Sequence, residues 1–528
     1  MTRSLWGWGN VKAALDDAAI AGLGDLVTER FGAAPNAPTV PPTPDDVTVP
    51  ASRIAPPPAL AELFTNEPAD RYRHGHGQAF RDVVPALHGE LTSFPDAVVR
   101  PRDAADVGRV LDWCSVNDVV CTPFGGGSSV VGGVRPPDRP NVSLELELLD
   151  DVHDIDQTSR LAHLGAGLYG PALEHRLGEH GLTLRHYPQS FEFSTLGGWI
   201  ATRAGGHFAT GPTHIDDLVA GINAVTPTGT WEGRPLPGSG AGPSPDRLLL
   251  GSEGTLAVIT DAWVRVRRRP VHRSQATVTF GSFETGLGAV RRVVQAGLEP
   301  ANCRLLDPVE AALNGAGDQA TLVLGFESAD LPQAGLLDAA LDLVRDAGGI
   351  VTDGPHHRAG DQSGASSGGG GDWRASFLAG PYLRDGLIRL GMVVETVETA
   401  ITWDRVDDLV TDVRDALRTA RSDLGHEPIV SVRATHAYRD GVAPYFTIIV
   451  PGTRGSEVAT WDDLKSAAGD VLVASGATIT HHHAVGRDHA PWLDRQHPEP
   501  FRRALAAAKA ELDPAGILNP GVLGLAST

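Results

Sequence analysis

The stretch from Pro123 to Val134, PFGGGSSVVGGV, constrains the fold more than any other, because it places closely spaced glycines directly after an apolar strand. Without Cβ atoms in the way, the backbone N–H groups of such a turn can converge on a bound anion. Ser128 and Ser129 add hydroxyl donors suited to phosphate oxygens. The pattern predicts a cradle for a pyrophosphate, and a glycine-rich surface turn is the alternative.

Two further polar stretches punctuated by glycine follow in the chain, Gln189 to Gly206 (QSFEFSTLGGWIATRAGG) and Gly251 to Thr260 (GSEGTLAVIT). Such stretches in series favour a long dinucleotide over an isolated turn. Gly165, Gly167 and Gly170 also match GxGxxG, but a nicotinamide site needs a following strand that ends in an acidic residue. A proline interrupts the chain where that strand should end (GLTLRHYPQSFEF), so we interpret these glycines as a turn.

Strand and helix patterns alternate from Pro95 onward, and 528 residues suffice for two or three domains. A helix is expected over Asp103 to Asn117 with one apolar face, formed by Val107, Val110, Leu111 and Cys114. We therefore expect the α+β class. The predicted parts are a helical and proline-rich extension (1–92) anchored by Trp6 and Trp8, a mixed α/β domain (93–270), a second α+β domain (271–476) and a C-terminal segment (477–528).

The net charge of −21 and the pI near 5.3 argue against binding to nucleic acid or to an anionic membrane surface. No apolar run approaches the length that spans a bilayer, and we expect no signal peptide. Cys114, Cys121 and Cys303 lack any CxxC spacing, which indicates reduced thiols and predicts a cytoplasmic protein. The bias toward alanine, arginine and glycine is typical of a bacterium with GC-rich DNA.

The run His481, His482, His483 is the first candidate for chemistry. In a strand, alternate side chains point to opposite faces, so only His481 and His483 are expected to converge. A metal site and an idle exposed run are alternatives. We favour proton transfer or the binding of an anionic substrate, because neutral imidazole does both near pH 7.

Three arginines are embedded among apolar residues: Arg304, Arg384 and Arg433. Each lies either on a solvated face or in position to clamp an anionic ligand. Tyr445 lies in a strand-forming run, where a core tyrosine is the default interpretation. The low-complexity segment from Ala359 to Asp372 is either a lid or a surface insertion.

The motifs PFGGGSS, QSFEFSTLGGWIATRAGG, GSEGTLAVIT, PYLRD, HHHAVG and DPAGILNPG occur in this order between Pro123 and Gly521. Taken together, they resemble the FAD flavoproteins of the vanillyl-alcohol oxidase type, and most closely the alkyldihydroxyacetonephosphate synthases, and the resemblance runs in register from about Trp6 to Leu523. The resemblance implies a two-subdomain FAD-binding domain of the PCMH type at 93–270, a cap domain at 271–476 and a C-terminal segment that returns to the flavin.

The resemblance also implies roles for individual residues. Non-covalent FAD is implied because Gly127 stands where relatives with a covalent flavin carry histidine. The implied catalytic residues are Tyr445, His481, His482 and His483, and the implied substrate-binding residues are Arg384 and Arg304. The implied cofactor-binding residues are Pro123, Phe124, Gly125, Gly126, Gly127, Ser128, Ser129, Gln189, Ser190, Phe191, Glu192, Phe193, Ser194, Thr195, Thr202, Arg203, Ala204, Gly205, Glu253, Gly254, Thr255, Leu256, Ala257, Val258 and Ile259.

In the family that the chain resembles, the acyl group of acyl-dihydroxyacetone phosphate is exchanged for a fatty alcohol through an adduct at flavin N5, without net oxidation. The resemblance implies the same ether-lipid reaction here, a small or lipid-like substrate, a homodimer and peripheral contact with a membrane. An FAD-linked oxidase or dehydrogenase of a 2-hydroxy acid or alcohol is the alternative. A protein that keeps FAD for structure or sensing is a third hypothesis.

Overall fold

The computed structural model describes residues 3–32, 35–208, 210–360, 369–421 and 425–525, with only the backbone described for 369–378. Most of the low-complexity segment therefore lies outside the described residues. Before the first parallel sheet the chain forms short 3-10 turns at Val11–Ala13 and Ala61–Leu63. The elements of this extension are α1 (Asp17–Phe31), β1 (Phe64–Thr65), α2 (Pro68–Arg73) and α3 (Phe80–His88).

The next part of the chain alternates strands and helices, as the sequence predicts. Its elements are β2 (Ala97–Val99), α4 (Ala104–Asn117), β3 (Val120–Phe124), β4 (Asn141–Glu145), β5 (Val152–Asp156), β6 (Leu161–Gly165), α5 (Gly170–Gly178), β7 (Leu182–Thr183), a 3-10 turn (Phe191–Phe193), α6 (Leu196–Thr202), α7 (Ile215–Leu218), β8 (Val219–Thr226), β9 (Gly229–Trp231), α8 (Asp246–Leu249), β10 (Val258–Arg265) and β11 (Arg267–Arg268).

These strands form two main sheets. In the first, β3 and β2 flank β4 in parallel, and β1 adds an antiparallel edge. Val107, Val110, Leu111 and Cys114 of α4 are fully buried against it, as their helical spacing predicts. The second sheet is antiparallel in the order β5-β6-β10-β8-β9.

The GxGxxG glycines lie at the end of β6 and the start of α5, where they allow close packing of backbone against backbone. A Cβ on Gly165 would lie 2.1 Å from the carbonyl oxygen of Leu149, and one on Gly167 would lie 2.0 Å from that of Leu146. Close packing therefore explains these glycines without a nucleotide.

The remaining elements build a large antiparallel sheet and the C-terminal helices. They are β12 (His272–Phe280), α9 (Phe283–Gln295), β13 (Asn302–Leu306), α10 (Pro308–Leu313), β14 (Ala320–Ser328), α11 (Ala334–Asp346), β15 (Ile350–Ala359), α12 (Gly369–Arg389), β16 (Met392–Glu398), β17 (Ile401–Thr402), α13 (Val406–Ala420), β18 (Ile429–Ala437), β19 (Gly441–Pro451), α14 (Glu457–Ala474), α15 (Ala490–Gln496), α16 (Glu499–Leu512) and a 3-10 turn (Val522–Gly524).

The large sheet, which we call the cap sheet, has the order β15-β12-β14-β13-β18-β19-β16, and β17 pairs with β19. Val430, Val432 and Ala434 of β18 lie in the hydrophobic core together with apolar residues of α9, α11, α13 and α14. Because side chains alternate along a strand, Arg433 lies on the opposite face of the cap sheet. No helix in the described ranges has the length and apolar character that crossing a membrane requires.

Candidate active site

A cleft opens beside β3 and runs along α6 and β10. The lining residues are Pro123, Phe124, Gly125, Ser129, Gly133, Val134, Leu146, Thr195, Gly197, Gly198, Ala201, Thr202, Glu253, Gly254, Ala257, Ile259 and Asn519. This set of glycines, hydroxyls and small apolar side chains fits a dinucleotide, because backbone groups can approach phosphates closely there.

The charge of the cleft also fits a pyrophosphate. Burial raises the pKa of Glu253 to about 7, although the amides of Val485 and Gly486 donate hydrogen bonds to its carboxylate at 2.9 and 2.8 Å. A carboxyl group that is partly protonated at neutral pH repels phosphates less than an ionised one would. The same two hydrogen bonds attach the C-terminal segment to the cleft.

The predicted cofactor residues fall into two groups. Ten of them line the cleft: Pro123, Phe124, Gly125, Ser129, Thr195, Thr202, Glu253, Gly254, Ala257 and Ile259. The others do not belong to this lining, and their cofactor role stays a prediction. Gly126 instead packs closely, because a Cβ there would lie 1.8 Å from the carbonyl oxygen of Phe193. Gly127 has a positive φ of 67°, which disfavours any larger residue, including the histidine of a covalent flavin site.

Some lining residues were not assigned individually by the sequence analysis: Gly133 and Val134 lie in the predicted cradle, and Gly197, Gly198 and Ala201 lie in the second glycine-punctuated stretch. Leu146 and Asn519 were missed as cofactor residues. Asn519 closes the cleft from the far end of the chain, since its side-chain amide donates to the carbonyl oxygens of Gly133 and Glu253, both at 2.9 Å. Buried Lys509 adds a second connection by donating to the carbonyl oxygens of Thr255 and Leu518, both at 2.7 Å. In the sequence, only the motif NPG, which contains Asn519, pointed to a return of the C-terminal segment to the cleft.

The N-terminal segment packs beside the glycine turn. Arg3 donates to the carbonyl oxygen of Gly126, and the edge of the Trp8 ring contacts Phe193 at a centroid distance of 5.6 Å. The amide of Trp8 donates to buried Asp385, whose pKa burial raises to about 6. Trp8 is thus an anchor, as predicted.

Arg384 lies next to Asp385 on α12, where its guanidinium donates to the carbonyl oxygen of Gln78 at 2.8 Å. Its contact in this structure is thus with backbone. The role of Arg384 toward a substrate stays a prediction.

A loop at residues 480–486, which we call the histidine loop, is organised by Glu398 at the end of β16. The carboxylate accepts hydrogen bonds from the amides of His481, His482 and His483 at 2.7–3.0 Å and from the hydroxyl of Thr480. Burial by itself would raise the pKa of Glu398. The neighbouring imidazoles and these hydrogen bonds outweigh burial and lower it to about 2. Glu398 therefore stays ionised and holds the loop.

Because the histidine loop is not a strand, the expected convergence of His481 with His483 is wrong. His481 meets His482 instead, with their Nδ1 atoms 2.9 Å apart. The Nε2 atom of His481 lies 2.7 Å from the hydroxyl of Tyr438 and 3.2 Å from Nε2 of His214. This arrangement is a continuous chain of groups able to pass protons.

His436 of β18 completes this group, and its Nε2 lies 2.9 Å from the carbonyl oxygen of Gly206. Burial lowers the pKa of His436, His481 and His482 well below the ordinary value, so these rings are neutral at pH 7. Their ligand atoms lie within 4.8 Å of one another, a spacing that also suits a metal ion. The cluster therefore has the geometry both to relay protons and to bind a metal ion.

A row of polar side chains crosses the cap sheet. The strand register places Glu398 opposite Tyr445 and Tyr445 opposite Arg433, so all three share one face. The guanidinium of Arg433 lies over the Tyr445 ring at 3.9 Å and pairs with Glu310 of α10. Burial raises the pKa of Tyr445, and the phenol is therefore protonated at pH 7.

Arg304 of β13 extends this row. It is 2 % exposed, and burial, followed by the positive charge of Arg433, lowers its pKa to about 9. The strand register pairs Leu306 with Arg433, so Arg304, two residues earlier on β13, lies on the same face of the cap sheet as Arg433. The Arg304 guanidinium also donates to the carbonyl oxygen of His207 at 3.3 Å. A pair of guanidiniums on one face favours an anionic ligand, because an anion relieves the repulsion between them.

Tyr445 and the histidine loop come together, as expected. The ring of His482 stacks on Tyr445 with centroids 6.1 Å apart, and its Cβ lies 3.1 Å from where a Cβ of Gly205 would be. Gly205 follows α6, which lines the cleft, so the cleft and the polar row adjoin. Of the groups that the sequence analysis did not assign, Glu398 and His214 gave no motif, whereas His436 and Tyr438 lie in SVRATHAY beside the candidate Arg433.

Comparisons with known proteins find family models and relatives that match most of this chain. A family model described as "FAD binding domain" matches residues 95–232, and one described as "FAD linked oxidases, C-terminal domain" matches residues 269–523. An alkyldihydroxyacetonephosphate synthase of Dictyostelium discoideum is 30% identical over 478 residues, covering 87% of this chain and 78% of that protein. The Caenorhabditis elegans enzyme of the same name is 30% identical over 487 residues, covering 86% and 80%.

The fold is shared as well. A solved structure of alkyldihydroxyacetonephosphate synthase superposes with a TM-score of 0.82 at 23% identity, and the match covers 98% of both chains. The mixed architecture of an FAD-binding part followed by a large capping sheet is thereby confirmed. FAD is the cofactor that both family models indicate.

Proposed function

Because this chain belongs to the alkyldihydroxyacetonephosphate synthase family of FAD flavoproteins, we propose that it exchanges the acyl group of acyl-dihydroxyacetone phosphate for a fatty alcohol. The observation that carries this proposal is the buried pair Arg304 and Arg433 beside Tyr445 and the histidine loop. A phosphate ester needs positive charge near an acid–base group, and this row supplies both. The product is an ether of dihydroxyacetone phosphate, and no net oxidation takes place.

Residues around the cleft hold FAD without a covalent bond in this proposal. The turn at Pro123–Ser129 and the stretch at Glu253–Ile259 receive the dinucleotide, and Asn519 closes it in. When bound, reduced FAD supplies a nucleophilic nitrogen, and the residues described above do the remaining work.

The two arginines bind the phosphate of the substrate. Arg433 is already oriented by Glu310 and by the face of Tyr445, so little side-chain entropy is lost when the phosphate arrives. Arg304 adds a second guanidinium. Burial disfavours its charged form, and a bound anion would favour that form and raise the pKa back toward the ordinary value. Arg384 remains a predicted contact at the N-terminal side of the site.

Proton transfer falls to the histidine loop and Tyr445. His482 is neutral at pH 7 and stacks on Tyr445, so it is positioned to take a carbon-bound proton. His481 can pass that proton on toward Tyr438 and His214. The phenol of Tyr445 is protonated and donates a hydrogen bond to the reacting oxygen.

The proposal is tested with anaerobic, FAD-loaded protein and acyl-dihydroxyacetone phosphate. We expect fatty-acid release and, with a fatty alcohol present, an ether product, without net bleaching of the flavin. Bleaching by a 2-hydroxy acid, with colour restored by an electron acceptor, would instead establish an oxidase or dehydrogenase. Retained flavin with unchanged behaviour after Tyr445→Phe and His482→Ala would favour a non-enzymatic role.

The phosphate assignment has its own matched pair of variants. Arg433→Gln should raise KM for the phosphorylated substrate at least about 10-fold, because a charge-assisted hydrogen bond contributes about 1.5–3 kcal/mol. Arg414→Gln removes an arginine that pairs with buried Asp307 outside the row, and it should leave KM unchanged. An equal effect of Arg433→Gln on acyl-dihydroxyacetone without phosphate would reject the assignment. A cytoplasmic location, a homodimer and contact with a membrane surface stay predictions.

A further inference from the structure

A second cluster of metal-ligating side chains lies on the sheet β5-β6-β10, away from the polar row. His153, His163 and Asp261 each offer one ligand atom, and these atoms all lie within 4.8 Å of one another. The Nε2 atom of His163 is 2.5 Å from Oδ1 of Asp261, and the His153 and His163 ring centroids are 4.7 Å apart.

Two irregularities in strand pairing aim these residues at one point. The register of β5 on β6 shifts between Val152 and Asp154, so His153 is a bulged residue. The register of β10 on β8 shifts between Ile259 and Asp261, which brings Asp261 opposite Asn223. Bulges re-aim side chains and recur next to functional sites.

A second set of contacts fixes the ligands. The side-chain amide of Asn223 donates to Oδ1 of Asp261 at 2.5 Å, and the hydroxyl of Thr260 donates to Oδ2 at 2.9 Å. The His163 ring stacks on Trp263 with centroids 4.5 Å apart. Outer contacts of this kind, which hold a carboxylate and an imidazole in place, are typical of metal sites.

We propose that His153, His163 and Asp261 bind a divalent ion of the zinc type. Two imidazoles and one carboxylate suit Zn²⁺, and water would complete the coordination because His153 is exposed. The ion takes the place of the proton shared by His163 and Asp261, and that proton leaves to solvent. The two ligand atoms, now 2.5 Å apart, then separate to the distance of about 3.3 Å that two tetrahedral bonds of about 2.0 Å require. Hard ions such as Mg²⁺ prefer oxygen ligands and are excluded by the imidazoles.

The site ties three strands of the cofactor domain to one another. Asp261 lies two residues beyond Ile259, which lines the cleft. An ion that bridges β5, β6 and β10 would therefore stabilise the strand that carries this wall of the cleft, through the mass-action effect of a ligand that binds only the folded state.

The test uses the full-length, FAD-loaded protein after treatment with a chelator, titrated calorimetrically with ZnCl₂ and, separately, with MgCl₂. We expect binding of one Zn²⁺ and none of Mg²⁺, with a rise in Tm that follows the Zn²⁺ concentration. His153→Ala changes an exposed residue and should abolish this binding, and Asn223→Ala should weaken it by about 10- to 100-fold.

Two controls separate this site from others. His175→Ala removes an exposed histidine of the same domain, whose Nε2 lies 3.8 Å from the carboxylate of Glu179. The His175→Ala protein should bind Zn²⁺ as the wild type does. His482→Ala disrupts the other histidine cluster and should also leave this binding intact. A number of bound Zn²⁺ ions that is unchanged by His153→Ala and Asp261→Asn, or that falls only with His482→Ala, would overturn the proposal, as would the absence of Zn²⁺ binding to the wild type.

Discussion

Replacing Glu398 with glutamine tests the central element of the site. The carboxylate accepts four hydrogen bonds, two on each oxygen: Thr480 and His483 donate to Oε1, and His481 and His482 donate to Oε2. Glutamine has almost the same shape but turns one oxygen into an NH₂ donor. In either amide orientation, two of the four donors then face another donor.

The expected loss follows from these bonds. A hydrogen bond to a charged group contributes about 1.5–3 kcal/mol, so losing two destabilises the folded protein by about 3–6 kcal/mol. Because the pKa of Glu398 is lowered, its contribution is fully present above the ordinary value of 4.5 and is lost as the pH falls toward 2. The free energies of unfolding of the wild type and of Glu398→Gln should therefore become more similar below about pH 4.5.

Urea unfolding at pH 7 and at pH 3.5, followed by tryptophan and flavin fluorescence, measures both effects. Thr480→Val removes one donor and should cost about 1.5–3 kcal/mol, which keeps the test informative if Glu398→Gln fails to fold. Glu395→Gln, on the same strand but bonded to Trp461, should leave the histidine loop and activity in place. Equal stability of Glu398→Gln and wild type at pH 7 would refute the role of Glu398.

Three further predictions concern other parts of the molecule. Gly126→Val should yield protein without flavin absorbance, because its side chain would overlap the carbonyl of Phe193; a yellow variant would contradict this packing. For Asp385→Asn, the free energy of unfolding relative to that of the wild type should rise by about 3 kcal/mol between pH 3.5 and pH 7. The reason is that a carboxyl group whose pKa is raised to about 6 makes folding of the wild type less favourable as the pH rises from 3.8 to 6. If urea unfolding shows the same difference at both pH values, the assignment is wrong. Lys509→Met should lower the free energy of unfolding by about 3–5 kcal/mol by leaving the buried Asp513 carboxylate without its ammonium partner, whereas exposed Lys12→Met should change little.

The regular parts of this fold were predictable because local patterns determine them. The apolar face of α4, with Val107 and Val110, follows from helical periodicity, and β3 follows from its apolar run before the glycine turn. Elements that depend on distant partners were missed. The strand β5 has little buried surface, and α6 begins within a stretch whose glycines suggest a loop.

The candidate site also combines residues that local patterns indicate with contacts that depend on distant parts of the chain. The histidines were singled out because their residue type carries chemistry, whereas residue type alone favoured a core role for Tyr445 and only the resemblance implied a catalytic one. The geometry of these residues was not predictable from their neighbours in the chain. The histidine loop takes its shape from Glu398, which precedes His481 by 83 positions. Likewise, Asn519 reaches the cleft from 386 positions beyond Gly133. Contacts of this separation have no local signature.

Because Lys509 and Asn519 hydrogen-bond to residues far earlier in the chain, the cofactor cleft is completed late in synthesis. The glycine turn emerges early in translation, but the residues that close its cleft are synthesised much later. At about 5–20 residues per second, the interval of 386 positions between Gly133 and Asn519 takes roughly 20–80 s. During that time the cofactor domain is exposed without its last wall. The cleft can therefore close fully around FAD only after Asn519 has been synthesised.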